Sequence, residues 1–147
     1  MKRVVITGMG INSCIGNTLE DVTHSLQNGI SGTRFNPIYA EMNFKSHISA
    51  AAEQNFDGID RRLKRFMGVC AMYAYNAALA AVQHAGLTAE QIGGNPRYGI
   101  AGGSGGGSTA SVIEMNELLQ TKGARKVGPF FVPRNMSNTI TANVGVA

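Results

Sequence analysis

Cysteines and long apolar runs are both scarce in this sequence. The two cysteines, Cys14 and Cys70, form neither a CxxC pair nor a spacing typical of a metal site. We therefore expect reduced thiols, no disulfide framework and no bound metal, as is usual in a cytoplasmic protein. The first apolar run is interrupted at Thr7 and Gly8, too soon for a signal peptide, and no run is long enough to span a membrane. The sequence thus argues against a disulfide-rich secreted domain and against a membrane protein.

Aromatic and charged residues are also few. Aromatic residues make up 7% and charged residues 15% of the 147 residues, whereas 44% are hydrophobic. A chain of this length and composition can bury one sizeable core, which argues against intrinsic disorder. We therefore expect a single domain over residues 1–147 with no internal boundary.

Glycine, in contrast, is abundant, and residues 102–108, the glycine tract, are Gly-Gly-Ser-Gly-Gly-Gly-Ser. Such a tract can be an interdomain linker, a phosphate-binding loop or a wall where backbone closely approaches another group. Only 39 residues follow it, too few for a convincing second core. A Walker loop would continue with Lys-Ser or Lys-Thr, whereas Gly107 is followed by Ser108 and Thr109. We interpret the tract as a close-packed wall.

The pattern of apolar residues predicts alternating elements, as in an α/β protein. Buried strands are predicted at 3–7 and 96–101, and a long helix that is apolar on all sides at about 60–85. Capping sequences that begin at Thr18 and Thr88 predict two further helices. The remaining expectations are an irregular stretch at 30–57, a helix at 112–120, an extended segment at 130–132 and a weakly helical segment from 135 onward.

Basic residues are concentrated in two clusters, and the formal net charge is +4. The clusters are Arg61, Arg62, Lys64 and Arg65, and then Lys122, Arg125 and Lys126. The first would oppose the dipole of the predicted long helix, so helix stability does not require it there. A solvated face neutralised by neighbouring acids is one explanation, and an acidic partner is another. Aromatic residues do not interleave with either cluster, so an acidic protein fits at least as well as nucleic acid.

A series of short motifs runs in order along the whole chain. They are Val-Val-Ile-Thr-Gly-Met-Gly at 4–10, Gly16, Gly-Ile-Ser-Gly at 29–32, Arg-Phe-Met at 65–67, His-Ala-Gly-Leu at 84–87, Gly-Ser-Gly-Gly-Gly at 103–107, and Gly-Pro-Phe-Phe-Val-Pro at 128–133 with Asn135 and Met136. Together they resemble roughly the first third of the β-ketoacyl-[acyl-carrier-protein] synthases of fatty-acid synthesis. This collinear agreement is far more specific than any single glycine motif.

The resemblance implies an α/β protein with a thiolase-like layered α/β/α fold, of which this chain is the N-terminal part of the first half. It also implies a homodimer that acts without nucleic acid or membrane. Enzymes of this family join an acyl chain to malonyl-carrier protein with loss of carbon dioxide, through a thioester on a cysteine assisted by two histidines. No resident cofactor is expected, because the phosphopantetheine arm arrives on the carrier protein.

The resemblance places that cysteine shortly beyond the last residue of this chain and both histidines further on. Cys14, Cys70, His24, His47 and His84 do not align with them. We therefore expect no catalytic residue in this chain and no activity of the chain alone. The sequence also stops without a capping signal, so we expect it to end inside a fold. The alternative function is that of a non-catalytic relative, a scaffold or chain-length partner.

Recognition of the carrier protein is implied for four basic residues. Arg62 and Arg65 correspond to family positions that contact the acidic carrier protein, and Lys122 and Arg125 to a second pair contributed by the partner subunit. The misplaced charges at the predicted helix start point independently to such a partner.

An acyl pocket is implied for three further residues. Gly106 corresponds to a position that lines the acyl channel, and Phe131 and Met136 fall near the pocket and the dimer interface. Glycine at 106, instead of a bulkier side chain, makes the sequence more similar to the type I synthases.

Overall fold

A computed structural model describes residues 3–53 and 55–146 of the chain. These residues form eight helices, a two-stranded sheet and a 3-10 turn. In chain order they are α1 (Leu19–Gln27), β1 (Arg34–Phe35), α2 (Pro37–Glu41), β2 (Ile48–Ser49), α3 (Arg61–Lys64), α4 (Val69–His84), α5 (Ala89–Ile92), α6 (Thr109–Lys122), the 3-10 turn Ala124–Lys126, α7 (Phe131–Asn135) and α8 (Thr139–Val146).

Four of the predicted helical segments contain helices, α1, α5, α6 and α8, and local chemistry explains where the first two begin. The Thr18 hydroxyl caps α1 by accepting from the Asp21 N–H at 3.1 Å. Before α5, the Thr88 hydroxyl accepts from the Gln91 N–H, and the Gln91 side chain accepts from the Thr88 N–H at 2.8 Å. This reciprocal pair is a capping box. Helix α6 extends the predicted segment 112–120 in both directions, and α8 lies in the weakly helical segment.

The stretch 30–57, expected to be irregular, contains a short hairpin. Strand β1 pairs antiparallel with β2, with Arg34 opposite Ser49 and Phe35 opposite Ile48. The following Asn36 caps α2 by accepting from the Ile38 N–H at 3.1 Å. Its amide also donates to the Ser49 hydroxyl at 3.1 Å, which joins the cap to the hairpin.

The single helix predicted at 60–85 is wrong, because the chain leaves the helix between α3 and α4. Gly68 is extended, with φ −77° and ψ 170°. A Cβ at Gly68 would lie 2.7 Å from the Arg134 carbonyl oxygen and 2.7 Å from the Ser108 Cβ. Two other segments therefore pack against the backbone where the helix would continue, and tertiary contact overrides helix propensity.

The core lies along α4, on one side of it. Ile59, Met67 and Ala71 are buried there and pack against four half-buried residues, Phe56, Leu63, Met72 and Tyr75. Helix α8 packs against α4 as well. Apart from Ala71, the residues of α4 are only partly buried or exposed, so the expectation of a helix buried all round is wrong for the described residues.

The segments predicted as strands at 3–7 and 96–101 are not strands in the described part of the chain. Both are free of β pairing there, and Val4 is 95% exposed. Just after the first segment, the backbone is nevertheless hydrogen-bonded to the end of α4, because the Met9 N–H donates to His84 Nδ1 at 3.0 Å. A Cβ at Gly10 would overlap the Ala77 carbonyl oxygen, so glycine allows this segment to lie directly on α4.

The segment 130–132, predicted to be extended, begins helix α7. Pro133 is the third residue of this helix, where its missing N–H removes no helical hydrogen bond. The extended prediction is therefore wrong, because a short apolar run cannot separate strand from helix. Of its three residues, Phe131 is buried and Val132 is exposed.

Helices that could cross a membrane are absent from residues 3–53 and 55–146, since all are too short or too polar.

Asn143 tests the packing of α8 on the segment between α3 and α4. It is 6% exposed, and its amide donates to the Phe66 carbonyl at 3.3 Å and to the Thr139 carbonyl at 2.8 Å. We expect Asn143→Ala to lower the free energy of unfolding by about 1–3 kcal/mol, because buried acceptors lose their donor. Urea denaturation of the full-length gene product measures this. Asn116→Ala, at an exposed position on α6, is the matched control, and equal midpoints for the two variants would refute the assignment.

Candidate functional site

The first basic pair, Arg62 and Arg65, lies on α3 and at its C-terminal end. Asp60 caps this helix by accepting from the Arg62 N–H at 2.6 Å. Arg62 Nε lies 3.9 Å from the same carboxylate, yet the Arg62 side chain is 91% exposed. An exposed pair of this kind contributes little to stability. The charge of Arg62 is therefore available to an acidic partner.

The helix-dipole argument for these residues needs correction. The long helix α4 begins at Val69, beyond Arg65, so the first basic pair does not lie in its first turn. Helix α3 has only four residues, and its basic side chains lie as close to its C-terminus as to its N-terminus. The argument that these arginines bind an acidic partner therefore rests on their exposure and not on a conflict with a helix dipole.

The second basic pair, Lys122 and Arg125, lies at the end of α6 and in the 3-10 turn that follows. Both residues are exposed. Gly123, with φ 78°, separates them and turns the chain. Lys122 is in the last turn of α6, where a positive charge also stabilises the helix.

Arg134 was not predicted as a functional residue, but it connects the first basic pair to the rest of the structure. Its Nε donates to the Arg65 carbonyl at 3.0 Å, and its Nη1 lies 3.5 Å from Glu114 Oε2. Its guanidinium lies over the Phe131 ring, 5.3 Å from the centroid. The available sequence signal was a single arginine inside an otherwise uncharged segment, 127–146.

A cleft of about 390 Å³ lies beside this connection. Lys64 and Met67 line it from the segment that carries the first basic pair, Ser108 and Glu114 line it from the N-cap and body of α6, and Arg134 lines it from α7. The cleft thus separates α6 from the segment that carries the first basic pair, and Arg134 bridges the two sides.

The glycine tract is close-packed at some positions and open at others. A Cβ at Gly107 would overlap the Asn135 carbonyl oxygen, as the interpretation of a wall requires. A Cβ at Gly106 would meet nothing within 4 Å among the described residues. The interpretation of the tract as a close-packed wall is therefore confirmed at Gly107 and wrong at Gly103, Gly105 and Gly106, which border free space among the described residues.

The tract adjoins the other two residues assigned to the acyl pocket. Asn135, which contacts Gly107, donates through its side-chain amide to the Phe131 carbonyl at 2.8 Å. Phe131 is buried, whereas Met136, directly after α7, is exposed. Asn135 thus links the tract to α7, which contains Phe131 and is followed by Met136, and the role of these two residues in holding an acyl chain stays a prediction.

Cys14 and His24 line one cleft, whereas Cys70, His47 and His84 lie in other local settings. Cys14 packs against Gly32, and Cys70 is the second residue of α4. His84 accepts from Met9, and the rings of His47 and Phe35 meet edge to face at 6.2 Å. Within the described ranges, three or more His, Cys, Asp or Glu side chains are nowhere grouped so as to hold a metal ion.

The fold and these motifs define the N-terminal part of a thiolase-like α/β domain. The chain belongs to the β-ketoacyl synthase family, whose N-terminal domain model matches residues 1–147. The match in sequence and the likeness to solved ketosynthases described below confirm the predicted family and the thiolase-like α/β fold.

Several curated relatives are 3-oxoacyl-[acyl-carrier-protein] synthases. The chain is 39% identical to synthase 1 of Haemophilus influenzae over 97% of its length and 38% identical to synthase 1 of Escherichia coli K12 over the same share. It is 33% identical to synthase 2 of Vibrio cholerae over 99% of its length. It spans only 35–36% of the length of these relatives.

Solved structures show the same fold. A β-ketoacyl synthase from Burkholderia phymatum matches 99% of this chain with a TM-score of 0.83 and 28% identity, over 36% of that structure. A type II PKS ketosynthase in complex with its acyl-carrier protein matches 99% of this chain with a TM-score of 0.74 and 19% identity, over 38% of that structure.

Alanine at two adjacent glycines tests the wall. We expect Gly107→Ala to lower the free energy of unfolding by about 1–3 kcal/mol, because the new Cβ would displace the backbone at Asn135. Gly106→Ala has free space and serves as the control, with little or no loss. Thermal and urea denaturation of the full-length gene product measure both, and an equal loss in the two variants would contradict the geometry.

Proposed function

We propose that this chain is the N-terminal part of a type I-like 3-oxoacyl-[acyl-carrier-protein] synthase that elongates fatty acids in the cytoplasm. The observation that carries the proposal is the match of the whole chain to this family. Its identity to synthase 1 of Haemophilus influenzae and of Escherichia coli exceeds its identity to synthase 2 of Vibrio cholerae. Glycine at 106 supports the type I-like assignment as well.

The proposed reaction is a decarboxylative condensation. An acyl chain is transferred from its carrier thiol to a cysteine of the enzyme, which forms a new thioester. Malonyl-carrier protein then loses carbon dioxide, and the resulting carbanion attacks the acyl thioester and releases the cysteine thiolate. The product is a 3-oxoacyl chain on the carrier protein. In this proposal the cysteine and two histidines lie outside the present chain, which supplies recognition rather than chemistry.

Carrier docking is the part of the function that this chain performs. In the proposed homodimer, Arg62 and Arg65 of one subunit and Lys122 and Arg125 of the other contact the acidic carrier protein. All four side chains lie on exposed positions, and complementary charge accelerates and orients such encounters. The complex of a related ketosynthase with its acyl-carrier protein supports this by analogy of fold.

Passage of the acyl chain is assigned to the region around the glycine tract. We place the acyl chain beside Gly106, which borders free space, with Phe131 and Met136 nearby. The phosphopantetheine arm is delivered by the carrier protein, so the enzyme itself needs no resident cofactor.

The first test is the reaction itself. We expect the full-length gene product to convert acyl- and malonyl-carrier protein to 3-oxoacyl-carrier protein with release of carbon dioxide, measured by mass spectrometry of the carrier. The isolated 147-residue chain, given the same acyl-carrier protein, is expected to form no acyl-enzyme. A full-length protein that binds the carrier protein but does not catalyse condensation would instead favour the non-catalytic scaffold. An acyl thioester on Cys14 or Cys70 would contradict the expectation that this chain contains no catalytic residue.

The second test concerns the docking surface. We expect the double variant Arg62→Glu/Arg65→Glu to bind acyl carrier protein at least about tenfold more weakly, because two attractive charges become repulsive. The affinity of the wild-type protein should fall as salt rises, since the pairs are exposed and screened. Calorimetric titration at low and moderate salt measures both. Arg97→Glu, an exposed arginine outside the proposed surface, is the control, and unchanged binding in the double variant removes Arg62 and Arg65 from the docking surface.

A further inference from the structure

Arg134 makes three contacts with three different parts of the structure. Through Nε it donates to the Arg65 carbonyl at 3.0 Å, and through Nη1 it meets Glu114 Oε2 at 3.5 Å. Its guanidinium also lies over the Phe131 ring at 5.3 Å. With 23% of its side chain exposed, Arg134 is far less accessible than Arg62.

The helix that carries the first basic pair depends on such contacts for its orientation. Helix α3 has four residues, and an isolated helix of that length is not stable in water. Asp60 holds its first turn. At its other end the carbonyls of Arg65 and Phe66 accept from the side chains of Arg134 and Asn143.

The backbone of Arg134 contributes to the same junction. Its carbonyl oxygen packs against Gly68, three residues after Arg65. Next to it, the rings of Phe66 and Phe130 meet edge to face at 5.1 Å. The segment 65–68 is thus fastened to the start of α7 by polar and apolar contacts, and Arg134 provides the polar contact closest to the basic pair.

We propose that Arg134 is a positioning residue for carrier docking: by holding the Arg65 carbonyl against Glu114 and Phe131, it fixes the direction in which α3 presents Arg62 and Arg65. This inference rests on the proposed function, because it assumes that these two arginines bind the carrier protein. A fixed orientation improves affinity because the bound geometry exists before the partner arrives.

Arginine is required for this role because its contacts use different parts of one planar group. The Nε–H reaches the carbonyl, Nη1 faces the carboxylate and the flat face lies on the aromatic ring. A lysine ammonium is a single point charge and cannot reproduce this arrangement. Arg134→Lys therefore keeps the charge and removes the geometry.

The test measures the affinity of the full-length protein for acyl carrier protein by calorimetry, with thermal denaturation of every variant. Arg134→Gln and Arg134→Lys are expected to weaken binding about three- to tenfold, while Arg97→Gln stays close to wild type. A loss in Arg134→Gln with wild-type affinity in Arg134→Lys would mean that only the charge matters, and would overturn the proposal.

Glu114→Gln separates positioning from charge and leaves Arg134 itself in place. Removal of this exposed negative charge strengthens binding of an acidic partner if only electrostatics operates. Positioning predicts the opposite, a weakening of about twofold or more, because the Arg134 guanidinium loses its partner. Affinity equal to or above wild type in Glu114→Gln would contradict the proposal even if the Arg134 variants fold poorly.

A combined variant shows whether Arg134 acts through the basic pair. In an Arg62→Gln/Arg65→Gln background, Arg134→Lys should cause no further loss of affinity, since there is no longer a pair to orient. If Arg134→Lys weakens binding in this background as much as it does in the wild-type protein, Arg134 acts on the carrier protein directly or on the structure in general, and the inference is overturned. If the proposed docking surface itself is wrong, the result is different, because the Arg62→Glu/Arg65→Glu variant then binds the carrier protein with wild-type affinity. Weak binding by that variant together with wild-type binding by Arg134→Lys refutes only the positioning role.

Discussion

Two neighbouring backbone carbonyls, those of Arg65 and Phe66, are held by side chains from distant parts of the chain. Arg134 donates to the first at 3.0 Å and Asn143 to the second at 3.3 Å. These contacts replace the helical hydrogen bonds that would otherwise join α3 to α4. They separate the exposed basic helix α3 from the long helix α4. The proposed docking surface and the core therefore lie on adjacent segments.

Close backbone contact is the second constraint, and glycine provides it at a few defined points. Gly10 lies on the Ala77 carbonyl of α4, Gly68 lies against Ser108 and Arg134, and Gly107 lies on Asn135. Side chains at these points would separate the elements. Gly106, one residue away from the last contact, borders free space instead. Within the glycine tract, Gly107 is thus packed against backbone, while Gly103, Gly105 and Gly106 border open space among the described residues.

Local signals in the sequence predicted the elements whose causes are local. Thr18 and Thr88 began helices as predicted, because a hydroxyl cap depends on residues three positions away. The break at Gly68 and the contact of Arg134 with the Arg65 carbonyl could not be predicted, because each joins segments that are distant in the sequence, Gly68 with Ser108 and Arg65 with Arg134. The first basic pair drew attention through its concentration of charge, and its exposure is confirmed, but the argument from the dipole of a long helix was wrong. The segments 3–7 and 96–101 have strand-like composition, but a strand exists only with a partner, and the described residues supply none.

The central claim is that this chain presents a preformed basic surface to an acidic carrier protein. Hydrogen–deuterium exchange of the full-length protein, with and without acyl carrier protein, tests it most directly. We predict new protection in peptides that cover 60–66 and 121–126, with residues 19–27 of α1 unchanged. Protection confined to α1, or none at either basic pair under conditions where the carrier is bound, would contradict the account.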